Sequence, residues 1–272
     1  MGERRRRRPL GTQREKRRKG GLDMEKSRSR QGKAAGNLVL LSGGLDSAVN
    51  LFLAERRGGV GLAVTVDYGQ RAARREVERA AALCAERGVR HEVIEARWLG
   101  KYSRDALTTP GADLPVDNAE GRGTRPADGE PLQSGETLCA IWVPNRNGLL
   151  ANMGACLAEA LGMSYVVMGL NAEEGAVFPD NSTGFVREVN RALSYSTLSR
   201  VRLRSFTASM NKMEILGTAI ACGLDFRYVW SCYNGGELMC ASCHSCARLL
   251  AAAEGIGEME RLRGYFESKR PA

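Results

Sequence analysis

The chain has 272 residues, 43% of them apolar and 6% aromatic, which suits one α/β domain with a small appendage. Its formal net charge of +9 sits at one end: residues 1–36 carry 14 Lys and Arg against 4 Asp and Glu, which leaves the remaining 236 residues at −1. That near-neutral remainder argues against a nucleic-acid-binding face, and no run approaches the ~18 apolar residues of a membrane-spanning helix.

The basic block between Arg4 and Lys33 has neither periodic apolar residues nor the apolar stretch of a signal peptide, so residues 1–36 are expected to form a disordered extension. Next, Leu38-Val39-Leu40-Leu41 reads as a buried strand running into Ser42-Gly43-Gly44-Leu45-Asp46-Ser47. A helical apolar period follows at Ala48, Val49, Leu51, Phe52 and Leu53. Glycines let the backbone turn sharply and approach an anion, while the helix start offers free N–H groups and the positive end of its dipole. Ser42 and Ser47 can donate to the same oxygens, and Asp46 can hold a divalent cation beside them. The bland alternative is a capped Gly-Gly turn. There is no Gly-x-x-x-x-Gly-Lys-Ser/Thr, so this is not the P-loop of phosphoryl-transfer enzymes. The hexapeptide resembles the PP-loop of the ATP pyrophosphatase superfamily, whose members grip pyrophosphate and transfer AMP to a carbonyl oxygen.

Val60 to Val66 is the second predicted strand, ending in Asp67-Tyr68-Gly69-Gln70. A charged amphipathic helix follows, with Ala72, Val77, Ala80, Ala81, Leu83 and Cys84 on its apolar face, and His91 to Ile94 is the third strand. This alternation predicts a doubly wound parallel sheet, with ligands at the carboxyl ends of the strands, where Ser42–Ser47 and Asp67–Gln70 both fall. Residues 100–138 are rich in Gly, Pro, Asp and Thr without a period and are expected to be a flexible flap. Val143-Pro144-Asn145-Arg146-Asn147 leads into a small-residue helix over Leu149–Leu161, and Ser164–Gly169 is the next strand. A helix is expected from about Phe185 to Tyr195, a half-exposed strand at Val201–Phe206, and a helix opening at Asn211-Lys212 and stopping near Gly223.

Cys232, Cys240, Cys243 and Cys246 form C-x7-C-x2-C-x2-C, with Gly235 and Gly236 supplying a turn inside the longer spacer. Four thiolates suit a closed tetrahedral zinc site, with an iron–sulfur cluster as the rival occupant. His244 is expected to be an exposed neighbour of that site and His91 a packed strand residue, while Cys84, Cys139, Cys156 and Cys222 are expected in the core. A metal cluster rather than disulfide pairing places the chain in a reducing, cytoplasmic compartment.

Taken together, the chain from about Leu38 to Gly255 resembles the 7-cyano-7-deazaguanine synthase family. The resemblance is carried by Ser42–Ser47, Asp67–Gln70, Val143–Asn147, Gly169 with Asn171-Ala172, Phe178-Pro179-Asp180, Lys212 with Glu214-Ile215, and Trp230–Tyr233 with the downstream cysteines. It implies an adenine nucleotide alpha-hydrolase-like PP-loop domain over 37–228 and a zinc-binding C-terminal region over 229–272. The implied reaction converts 7-carboxy-7-deazaguanine and ammonia to 7-cyano-7-deazaguanine in queuosine biosynthesis, through adenylated acid and amide intermediates. It implies ATP, Mg2+ and Zn2+ as cofactors, small molecules as substrates, no membrane, no required nucleic acid, and is compatible with a homodimer.

By the same resemblance Leu41, Ser42, Gly43, Gly44, Leu45, Asp46 and Ser47 hold the ATP phosphates and magnesium, with Asp67 and Tyr68 near the adenosine. Arg146 and Lys212 offset phosphate or carboxylate charge and, with Asp46, are the catalytic candidates. Phe178 stacks on the deazapurine while Asn171, Glu174 and Asp180 hydrogen-bond its edge. Glu173 to Val177 departs from the pattern, in which an Asp and a Ser-Gly commonly precede the aromatic-Pro-Asp; Glu174 keeps a carboxylate but a serine hydroxyl is lost. Rival readings are another adenylating PP-loop enzyme, thiolating or amidating tRNA or acting on a different deazapurine, and a zinc-stabilised nucleic-acid-binding protein.

Overall fold

The computed structural model describes residues 36–114 and 140–267. The expected basic extension, Cys139 and most of the expected flap lie outside the described residues. The elements run β1 (Asn37–Leu40), α1 (Leu45–Arg56), β2 (Val60–Asp67), α2 (Ala73–Arg87), β3 (His91–Glu95), the short α3 (Trp98–Tyr102), α4 (Arg146–Ala160), β4 (Tyr165–Val167), α5 (Ala172–Gly175), α6 (Thr183–Ser196), β5 (Arg202–Arg204), α7 (Lys212–Cys222) and α8 (His244–Gly255).

All strand pairs are parallel and the order is β3-β2-β1-β4-β5. β1 is central and buried along its whole length, because helices cover both faces of the sheet. On one face Val39 and Leu41 join an apolar cluster with Leu45, Val49 and Phe52 of α1 and with Ile215, Leu216 and Ala219 of α7. On the other face α4 lies against β1 and β4. It can do so because it is built of small residues: a Cβ on Gly154 would sit 2.8 Å from Val166 Cγ1. The strand order reverses direction between β1 and β4, which opens a crevice at their carboxyl ends.

Three features depart from expectation. Residues Trp98 to Thr108, at the start of the expected flap, form α3 and a packed turn, in which Asp105 accepts from Leu107 N, Thr108 N and Thr108 Oγ1. α8 begins inside the cysteine cluster, directly after Cys243, where no helix was predicted, and its Cys246, Leu249 and Ala253 enter the same apolar cluster as α7. Finally, Cys84 is buried as expected, but Cys156 is exposed and Cys222 half-buried. His91 does pack in β3, bonded through Nε2 to Thr65 Oγ1 at 2.8 Å. No helix among the described residues is long and apolar enough to cross a membrane.

Candidate active site

The chain leaves β1 and turns at Ser42-Gly43-Gly44. Gly43 has φ +75°, and a Cβ there would lie 2.8 Å from the Glu76 carbonyl oxygen, so only glycine permits this turn so close to α2. Gly44 is the N-cap of α1 and offers no side-chain cap, which leaves first-turn N–H groups for an anion. The Ser42 and Ser47 hydroxyls stand 3.1 Å apart, and Ser47 Oγ also accepts from Ser42 N at 3.2 Å.

Across the β1–β4 crevice lies a knot of charge. The Lys212 ammonium, at the first position of α7, donates to both Asp46 oxygens at 2.8 and 2.9 Å. Asn171 Nδ2 donates to Asp46 Oδ2 at 2.7 Å, while Asn171 Oδ1 caps α5 by accepting from Glu174 N at 2.8 Å. Arg248 reaches in from α8 to pair with Glu173, and its other nitrogen lies 3.7 Å from Glu174. Burial works against Glu174 ionising, yet the Lys212 and Arg248 charges outweigh it and hold its carboxyl below the usual range. Burial likewise opposes charge on Lys212, and Asp46 with Glu174 overcomes it to raise the ammonium's pKa.

The opposite wall carries Tyr68, Gln70, Glu76, Arg146 and Asp180. Arg146, on the first turn of α4, donates to the Tyr68 hydroxyl at 3.4 Å with its guanidinium 5.9 Å from the ring centroid. Burial pushes the Tyr68 hydroxyl and the Asp180 carboxyl above their ordinary values, and Arg146 only partly offsets this. Nearby, the Trp142 and Phe178 rings lie 13° from parallel with centroids 6.2 Å apart, both lining the cleft.

The cleft therefore collects Leu41, Ser42, Gly44, Leu45, Asp46, Ser47, Tyr68, Arg146, Glu174, Phe178, Asp180 and Lys212 from distant parts of the sequence. Three expected residues do not line it. Gly43 serves the turn from behind. Asp67 faces the Arg97 guanidinium, accepting at 2.8 and 2.7 Å, because the β2 terminus delivers its side chain to α3. Asn171 is fully buried, with both ends of its amide committed to Asp46 and the α5 cap, so it positions other groups and does not present its edge. His244 is half-buried and lines the cleft, unlike the exposed neighbour expected.

Trp142, Glu76 and Arg248 were missed. Trp142 immediately precedes Val143–Asn147, so the aromatic beside that motif was the available signal. Arg248 stands two residues after Cys246, where a continuing helix would aim it away from the metal ligands. For Glu76 no signal was available, since a glutamate in a charged helix looks solvated.

At the C-terminal side, the ligand sulfurs of Cys232, Cys240, Cys243 and Cys246 all lie within 4.8 Å of one another, and Cys240 and Cys246 are 4.0 Å apart. A tetrahedron with metal–sulfur bonds of ~2.3 Å has edges of ~3.8 Å, so this four-cysteine cluster fits a single ion. Its loop and helix also furnish Trp230, Ser231, Tyr233 and Ser245 to the cleft wall.

Residues 36–257 match the family described as queuosine biosynthesis protein QueC. The 7-cyano-7-deazaguanine synthase of Desulforudis audaxviator is 46% identical over 81% of this chain and 97% of its own length. The enzyme of that name from Pelotomaculum thermopropionicum is also 46% identical, with the same shares covered, and the one from Desulforamulus reducens is 42% identical over 81% and 94%.

Proposed function

The chain belongs to the QueC family of 7-cyano-7-deazaguanine synthases, and from that premise we propose how its cleft performs the reaction. The enzyme converts 7-carboxy-7-deazaguanine and ammonia to 7-cyano-7-deazaguanine in queuosine biosynthesis, with ATP consumed through an adenylated acid and an adenylated amide.

A carboxylate is a poor electrophile, so its oxygen must become a leaving group. The carboxylate attacks the α-phosphorus of ATP and pyrophosphate departs into the Ser42–Ser47 turn, where the α1 N–H groups and both hydroxyls receive it. Lys212, fixed by Asp46 and Asn171, and Arg146, fixed by Tyr68, hold positive charge on either side of the reacting phosphate. Ammonia displaces AMP to give the amide, whose oxygen is adenylated in turn. Trp142 and Phe178, stacked on each other along the cleft, offer an aromatic face on which the flat deazapurine would lie, and Glu174 and Asp180 would hydrogen-bond its edge.

Zinc suits the cysteine cluster, where Cys232, Cys240, Cys243 and Cys246 would hold it; bound there, it supplies folding energy to the segment carrying Arg248. For magnesium, Asp46 is the residue that would hold the ion: among the described residues its Oδ1 accepts only from Lys212, whereas its Oδ2 accepts from both Lys212 and Asn171, and an ion bound there would offset phosphate charge. The single observation that carries the reading is the meeting of the phosphate-binding turn with Lys212 and Arg146 at the β1–β4 crevice. The test is to incubate the protein with ATP, magnesium, ammonium and 7-carboxy-7-deazaguanine and follow products by mass spectrometry. Nitrile with AMP and pyrophosphate, lost in Asp46→Ala, is expected; AMP without nitrile would contradict it.

A further inference from the structure

One carboxylate in the cleft has no part in the scheme above. Glu76, in the first turn of α2, lies behind the phosphate-binding turn and lines the cleft. One of its oxygens accepts from Gln70 Nε2 at 2.8 Å. Gln70 cannot flip, because its Oε1 accepts from Tyr68 N at 2.9 Å and its Nε2 also donates to Val66 O at 3.1 Å. The second Glu76 oxygen has no hydrogen-bond partner among the described residues and is left to the cleft. Arg146 from α4 and Asp67 at the end of β2 supply the charge around it, and the neutral Tyr68 hydroxyl faces it as well. Glu76 forms no ion pair closer than 4.0 Å among the described residues. Burial raises its carboxyl to about 7; Asp67 acts in the same direction, and Gln70 and Arg146 act against it. A base with such a value exchanges protons readily near neutral pH.

The reaction has a demand that phosphate binding does not meet. Ammonium brings four N–H bonds and the nitrile keeps none, so every one of those protons must leave the nitrogen. In the second half, the amide oxygen attacks the α-phosphorus of ATP and the bond to pyrophosphate breaks, leaving a protonated imidate with two N–H bonds. One proton departs to give the neutral imidate. The other departs as the C–O bond breaks, its N–H electron pair becoming the third C–N bond while AMP leaves with the C–O pair. Nothing is oxidised or reduced.

We propose that Glu76 is the catalytic base of this nitrile-forming half, taking the protons from the nitrogen of the adenylated amide through its unpartnered oxygen. The proposal rests on the family reaction described above. Each proton passes from Glu76 to cleft water before the next transfer, and Gln70 keeps the carboxylate aimed.

The isosteric variant Glu76→Gln tests this with the two halves assayed separately. From 7-carboxy-7-deazaguanine the variant should accumulate the amide, because the nitrile-forming half loses more of its rate than the amide-forming half. From the amide, nitrile formation should fall by ~100-fold or more, and the acidic limb of the wild-type kcat profile should vanish. Glu76→Asp should restore part of the rate and the limb. Unchanged nitrile formation in Glu76→Gln, a persisting acidic limb, or an equal fall in both halves would overturn the proposal. Wild-type protein that makes no nitrile would instead contradict the reaction itself, which is a separate result.

Discussion

Replacing Lys212 by methionine keeps most of the aliphatic stem and removes the charge that neutralises Asp46. The ammonium lies 2.8 Å from the nearer Asp46 oxygen, with the two side chains 14% and 15% exposed. Removing one partner of a buried pair costs about 3–5 kcal/mol, because the other charge is left uncompensated. Here Asp46 keeps the Asn171 amide and Glu174 keeps Arg248, so about 2–3 kcal/mol is the reasonable loss. In a domain of this size each kcal/mol moves the melting temperature by about 2–4 °C, so Lys212→Met should melt roughly 5–10 °C below wild type. Adding Asp46→Asn should recover much of that loss, with a coupling energy of about 1–2 kcal/mol in the double-mutant cycle. Activity should not recover with it, since both variants lack the cation at the reacting phosphate. Urea and thermal unfolding of the four proteins measure the cycle. A Lys212→Met protein that melts within 1 °C of wild type, or a cycle that is simply additive, would refute the ion pair as drawn.

The remaining predictions concern other walls of the site. Glu76 carries its proton more tightly folded than unfolded, so its contribution to stability is complete below pH 4.5 and is lost as pH rises through about 7. Glu76→Gln should accordingly be more stable than wild type at pH 8 by about 2 kcal/mol after discounting for cleft water, with the difference gone near pH 4.5 by urea unfolding; no pH dependence in that difference would contradict it. Trp142→Ala should raise KM for the deazapurine by about 3–10-fold while leaving KM for ATP unchanged, by steady-state kinetics; equal effects on both would place the ring elsewhere. Stripping the metal, or Cys243→Ser, should expose residues 230–255 to protease and abolish activity while far-UV dichroism keeps most of its signal. Metal analysis should find one zinc per chain, and iron in its place would contradict the assignment.

Much of this could be read from the residues alone, and what escaped has a physical reason. The turn Ser42–Ser47, the parallel sheet and the cysteine cluster were legible because each is a local pattern: an apolar run, a glycine pair, a short ligand spacing. Lys212 and Arg146 were legible as charges near motif residues, although the sequence gives no hint that Lys212 meets Asp46, 166 positions away. That Asp67 pairs with Arg97 was not legible, because a strand's last residue can point to either side. The two internal bonds of Asn171, to Asp46 and to the α5 cap, are visible only after folding. Glu76 and Arg248 depend on tertiary burial, which turns ordinary helix-surface charges into cleft residues.

The central claim is that both oxygens of the substrate carboxylate leave on AMP. The direct measurement is turnover of 7-carboxy-7-deazaguanine labelled with 18O in both carboxylate oxygens, with mass analysis of the nucleotides formed. The account predicts two AMP per nitrile, each carrying one 18O, and unlabelled pyrophosphate. Label appearing in water or in inorganic phosphate, with ADP in place of AMP, would contradict it.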